Sequence, residues 1–283
     1  MLKSLCIKSN NKNVNDYLFQ KFCQLSLDNI YVSNYNFKLY TNIIVHYTGI
    51  DLNSFLHEVS SILSDTIINF YETKKLKQII NSNYFYFSEI EQAQILDICK
   101  EHLLNVEPEE LAIKKESISL AIIDYFSSNK SLILDGFCDF RLTEYIKILD
   151  SLVDISVNKF VIDREYTEFI DLLKVYINSK DYGSDIIHLV YNSGESILLD
   201  KYKNVINLDN HILDSKYLSD ITFSSNDYAL NTLLTLLPKV IYIHVIDIED
   251  EFINTLKLIF DTRVYLCHDC SLCKIYKLEK IKR

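Results

Sequence analysis

A chain of 283 residues with 48% hydrophobic and 24% charged side chains has material for a sizeable core and is too apolar for disorder. Only 4 Gly and 2 Pro argue against Gly-rich phosphate loops and flexible linkers, and 29 basic against 39 acidic residues give a net charge of −10. That balance favours solubility and disfavours a phosphate-backbone partner, because the basic clusters are small: Lys74, Lys75 and Lys77, and the tail of Lys277, Lys280, Lys282 and Arg283.

The chain opens with a short strand at 4–8, an amphipathic helix at 15–27 and strands at 31–35 and 37–47, the last with Ile43, Val45 and Tyr47 alternating. Asp51 is placed to cap a long helix running to about residue 80. Its apolar positions Phe55, Val59, Leu63, Ile67, Ile68 and Tyr71 form one buried face. Ser88 and Glu91 have the spacing of a capping box before Ala93, Ile95, Leu96 and Ile98. Pro108 marks a break before a helix at 115–126, and residues 131–137 read as a short strand.

Two long helices are expected next. One carries Leu142, Ile146, Leu149, Val153 and Phe160; the other carries Tyr166, Phe169, Leu173 and Tyr176. Both stripes are read as core faces. Beyond Gly183, strands at 186–191 and 195–199 flank Asn192-Ser193-Gly194, a hairpin turn. A helix from Ser225 to Pro238, an apolar strand at 240–246, a helix at 249–260 and a strand at 264–267 give a parallel βαβ unit.

The fold class is therefore α+β: helix-rich, with a small N-terminal sheet and a C-terminal sheet containing the βαβ unit. Residues 1–107 form an N-terminal α/β region, and 108–283 a helical middle with a C-terminal α/β region, either as two domains or as one sharing a core. The first residues lack the apolar stretch of a signal peptide, and no run has the ~18 apolar residues of a membrane span. Seven cysteines in such a chain are expected to stay reduced, in the cytoplasm.

The one chemically suggestive motif is Cys267-His268-Asp269-Cys270-Ser271-Leu272-Cys273. Three thiols three residues apart converge when the backbone turns, as around zinc or an iron–sulfur cluster. Their place at the carboxyl end of a parallel strand is where such sheets hold ligands. A fourth donor has to come from Cys138, Cys6 or His244, because His268 is adjacent to Cys267. Thiol redox chemistry, and three cysteines without an ion, are the alternatives.

Walker, dinucleotide-binding, zincin and nucleophile-elbow motifs are absent. The acidic groups Glu107, Glu109 and Glu110, and Asp247, Glu249, Asp250 and Glu251, stand where helices begin, which the helix dipole explains. His46, His57, His102, His188 and His211 have no motif around them, and His244 in its apolar strand reads as a hydrogen-bonded core histidine. Arg141, after the Gly136-Phe137 turn, reads as an anchor onto Asp135 or Asp163, with an anion contact as the alternative.

Asp135-Gly-Phe-Cys-Asp-Phe-Arg-Leu142, Asp163-Arg-Glu-Tyr-Thr-Glu-Phe-Ile-Asp-Leu-Leu173, Pro238-Lys-Val-Ile-Tyr-Ile-His244 and Cys267-x-x-Cys270-x-x-Cys273 together resemble the YtxC-like family of sporulation proteins from endospore-forming bacteria. The resemblance spans about 131–274 and implies a cytoplasmic protein of a spore-forming cell, with no mechanism attached. Cys138 holds a variable position of the pattern and takes no role from it. The expected activity is a non-enzymatic interaction or regulatory role with protein partners, without nucleic acid or membrane. The alternative is a metal or iron–sulfur protein using Cys267, Cys270 and Cys273.

Overall fold

The computed structural model describes residues 3–25, 28–192, 194–206, 224–246 and 249–276. The chain divides into two compact units, Met1–Ile162 and Asp163–Arg283. The division drawn from sequence at 107/108 thus falls inside the first unit, where Ile118, Ile122 and Phe126 join the same core as Phe55 and Leu63.

In the first unit, strands β1 (Lys3–Ser9), β2 (Ile30–Asn36), β3 (Thr41–Tyr47) and β4 (Ser131–Ile133) form a sheet in the order β2-β3-β1-β4. β1 is antiparallel to β3 and parallel to β4. Leu5 and Ile7 on β1, and Ile43, Val45 and Tyr47 on β3, turn one face of the pleat into the core.

Three helices of this unit start where a side chain accepts from their free amides. Asn11 caps α1 (Lys12–Cys23), Asp51 caps α2 (Leu52–Asn83), and Ser88 with Glu91 forms a complete capping box on α3 (Glu89–Leu104). The break expected at Pro108 is present, since α3 stops at Leu104; the helix expected at 115–126 is longer, α4 spanning Pro108–Ser128 with Pro108 at its first position. A proline at the first helical position forgoes only an amide that had no partner there. The core joins Phe22, Phe55, Leu63, Ile67, Phe126 and Tyr145. Two side chains of opposite charge, Lys114 and Glu72, pair at 2.7 Å among these helices, each 7% exposed.

The strand expected at 131–137 stops at Ile133, and α5 (Leu134–Phe140) takes over with Gly136 and Phe137 inside it, so there is no turn at these two residues. The paired helices expected next are a single one, α6, running Thr143–Asn178. In its first half Leu149, Val153 and Phe160 are buried as expected. In its second half the buried residues are Ile170 and Ile177 with Leu173 beside them, while Tyr166, Phe169 and Tyr176 are 43–51% exposed. The aromatic stripe lies one position off the core-facing one.

The second unit holds β5 (Ser184–Asn192), β6 (Glu195–Leu199), β7 (Pro238–His244) and β8 (Val264–Cys267) in the order β6-β5-β7-β8. β5 and β6 make the expected antiparallel hairpin, closed by Gly194 at φ +89°, with Ser193 outside the described residues. β5, β7 and β8 are parallel neighbours. Helix α7 (Ser225–Leu236) leads into β7, and α8 (Glu251–Phe260) links β7 to β8, so the βαβ unit is present. Gly183 is required before β5, because a Cβ there would stand 2.6 Å from the Leu236 carbonyl oxygen. The core is Ile187, Leu189, Leu233, Ile241, Ile243, Ile253 and Leu256. The whole is α+β.

Candidate metal centre

The centre is built by strand register. β7 and β8 end together, and His244 and Cys267 are direct partners across them. Both therefore stand at the carboxyl edge of a parallel sheet, where the strands stop and loops take over. After Cys267 the chain turns and forms the short helix α9 (Ser271–Ile275), whose first turn returns Cys270 and Cys273 toward the strand ends. A second, small apolar cluster surrounds them: Val190, Leu199 and Leu272 with Ile197, Ile246 and Tyr276.

One donor atom from each of His244, Cys267, Cys270 and Cys273 lies within 4.8 Å of every other. Cys270 Sγ and Cys273 Sγ are each 3.4 Å from His244 Nδ1. Cys273 Sγ is 3.7 Å from Cys270 Sγ and 3.9 Å from Cys267 Sγ. A tetrahedral ion with Zn–S of ~2.3 Å and Zn–N of ~2.0 Å sets edges of about 3.8 Å between sulfurs and about 3.5 Å between sulfur and nitrogen. Those four distances sit close to a tetrahedron's edges. The set could hold one metal ion.

Electrostatics suit His244 and Cys270 as donors and oppose an unpaired thiolate at Cys273. Burial pushes the His244 imidazole down to about 4, helped by His188 and Lys203, so it stays neutral and keeps a lone pair at neutral pH. Its other nitrogen, Nε2, is 3.1 Å from His188 Nδ1, and the His188 ring stacks on Tyr242. Burial opposes a thiolate at Cys270, yet backbone amides of Cys273 and Leu272 together with the neighbouring thiols bring it below the ordinary thiol value. Cys273, fully buried, is pushed up to about 11 by burial. Three thiols this close do not all ionise without a cation among them.

Of the fourth donors named from sequence, His244 converges with the thiols. Cys6 lies in β1 and Cys138 in α5, both in the first unit, and Cys138 is pushed up to about 12 by burial. His268 turns away, its Nδ1 placed 3.1 Å from the Val245 carbonyl oxygen. His188 carried no sequence motif. Its only signal was its place on the strand that neighbours β7. His46 is 2.8 Å from Ser4 Oγ on the neighbouring strand, and His211 lies outside the described residues.

The acidic groups sit at helix starts as expected. Glu107 precedes Pro108 at the start of α4, with Glu109 and Glu110 in its first turn, and Asp250 caps α8 by accepting from the Phe252 amide. Asp247 lies outside the described residues, as does the basic tail 277–283. Arg141 ends α5 instead of starting a helix; it is exposed and, among the described residues, forms no ion pair. The Asp135 expected to receive it is 3.9 Å from Lys74. Among the described residues no helix is long and apolar enough to cross a membrane.

Comparison with known proteins places the chain. It is 22% identical over 199 residues to the "Uncharacterized protein YtxC" of Bacillus subtilis (strain 168), covering 68% of this chain and 70% of that protein. No solved structure matches it. The YtxC-like family is matched over residues 57–265, which contains 135–142, 163–173 and 238–244 but ends two residues before Cys267. The thiols therefore lie beyond the matched stretch, and the case for them is geometric. With most of its length matched, the chain belongs to the YtxC-like family.

Proposed function

We propose that this chain is a non-enzymatic protein of the spore-forming cell whose second unit is fastened by one structural zinc ion on His244, Cys267, Cys270 and Cys273. The observation that carries this is the convergence of four soft or borderline donors, one from each residue, within 4.8 Å of one another. Four protein ligands complete a tetrahedron and leave no position for water or substrate, which is the mark of a structural ion. A multi-iron cluster would place its thiolates on different metals and spread them wider than this set. Three closely spaced cysteines that form no disulfide are suited to a reducing compartment, which supports a cytoplasmic location. Family membership supports a part in sporulation; that part, in the same proposal, is exercised through protein partners.

The test is metal analysis of full-length protein purified without oxygen. The expected result is close to one zinc per chain and a melting temperature that falls when a strong chelator removes it. Cys270→Ser should lower both zinc content and melting temperature. Protein that is folded and metal-free, with one melting curve in the presence and absence of chelator, would overturn the proposal. A red mononuclear iron form would keep the ligand set and change the ion.

A further inference from the structure

Helix α5 has two chemically different faces. Asp135 and Asp139, one turn apart, go to lysines of α2: Asp135 to Lys74 at 3.9 Å, and Asp139 to the largely buried Lys75 in a close ion pair. Cys138 on the same side is fully buried. Gly136, Phe137, Phe140 and Arg141 recur at the alternate helical spacing and line a cavity of about 330 Å³. Its remaining walls are Lys8, Tyr125, Ser131 and Ile133. Lys8 and Ile133 are register partners on the parallel strands β1 and β4, so the cavity opens at the carboxyl end of that pair.

Two features of this cavity have no internal explanation. Lys8 and Arg141 both line it, and among the described residues neither has an acidic partner, in a chain whose acids outnumber its bases by ten. The carboxylates of α5 that could have served are already held by Lys74 and Lys75. Gly136 is the second. Inside a helix glycine is unfavourable, and this one lacks the positive φ that would require it. A Cβ added there would meet nothing within 4 Å, so crowding does not require glycine either. What the glycine does is leave space beside two unpaired cations.

We propose that this cavity binds a small phosphate ester, its phosphoryl group held between the Lys8 ammonium and the Arg141 guanidinium. Two cations suit a phosphate monoester, which is largely dianionic at neutral pH, better than a singly charged carboxylate. Arginine adds a planar fork that matches two phosphate oxygens. The volume is at the small end of ligand sites. Phe140, 82% exposed at the rim, offers a ring face to whatever body carries the phosphate. The site lies in the first unit and is independent of the metal centre.

The test is calorimetric titration of full-length, zinc-replete protein with inorganic phosphate, a nucleoside 5′-monophosphate and a sugar phosphate. Saturable binding of at least one is expected, weakened about tenfold or more by Arg141→Gln and by Lys8→Gln, each of which removes one charge-assisted contact. Gly136→Leu should fill the space and weaken binding to a similar extent without lowering the melting temperature. Should that variant fold poorly, Gly136→Ala reports the same effect in smaller measure. Tighter binding of an ester than of inorganic phosphate is expected, with the nucleotide's advantage lost in Phe140→Ala if a ring is read; equal affinity for all three would overturn the ester. No saturable binding of any ligand, or binding that Arg141→Gln and Lys8→Gln leave unchanged, would overturn the proposal.

Discussion

His244 has work for both ring nitrogens. Nδ1 lies 3.4 Å from two sulfurs, and Nε2 lies 3.1 Å from His188 Nδ1. In the tautomer that would ligate through Nδ1, the proton sits on Nε2 and His188 accepts it, which fixes the ring toward the three sulfurs. His188 touches no sulfur, so its part is to position His244. His188→Ala should therefore reduce zinc affinity about 10- to 100-fold, in the range found for such supporting contacts. Competition with a chromophoric chelator measures this, and His188→Asn, whose amide oxygen can accept the same proton, should recover part of the loss. Unchanged affinity in the alanine variant would assign His188 to stacking on Tyr242 alone. The three cysteines were visible in sequence because their spacing is local. His244 was visible only as one of three possible partners, since its 23-residue separation from Cys267 is closed by strand register, and register depends on the whole sheet.

Among the elements, ends were easier to read than faces. Asp51 and the Ser88–Glu91 pair announced α2 and α3 because a cap is a contact between residues two or three apart. The same device starts α7, where Ser224 and Asp227 form a reciprocal capping box. Ser224→Ala should cost about 1 kcal/mol, seen as a lower urea midpoint with an unchanged slope. A midpoint at the wild-type value would mean that the tertiary contacts of Ala229 and Leu233 alone fix the helix start. Faces are decided elsewhere. The second half of α6 offers two stripes at helical spacing, an aromatic one and one through Ile170, Leu173 and Ile177, and the second faces the core. Periodicity establishes that an apolar face exists; the neighbour it packs on selects which one, and that neighbour lies far along the chain. The same limit explains why two stripes read as two helices: α6 carries both, with no glycine or proline between residues 143 and 178.

At the scale of the whole molecule, the described residues hold three apolar clusters of unequal size. The first unit is built on one extensive core that joins β1, β3, α2, α4 and the first half of α6. The second unit has its main core under β5, β7 and α8, and a separate minor cluster in which Cys273 is one of the four buried residues. So small a cluster buries little area, and hydrophobic stabilisation scales with area. β8 adds to this weakness: it is four residues long and lies at the edge of its sheet. The ion proposed above, tying His244 of β7 to three thiols of the β8–α9 segment, would supply a link that this small cluster does not. Removing it should therefore act locally. Hydrogen exchange after chelation should show amides of β8 and α9, and the last residues of β7, losing protection, while those of β1, β3 and α2 keep theirs. If protection fell evenly through both units, or nowhere, the ion would not be the fastening of this edge, and the minor cluster would have to be stable through its side-chain packing alone.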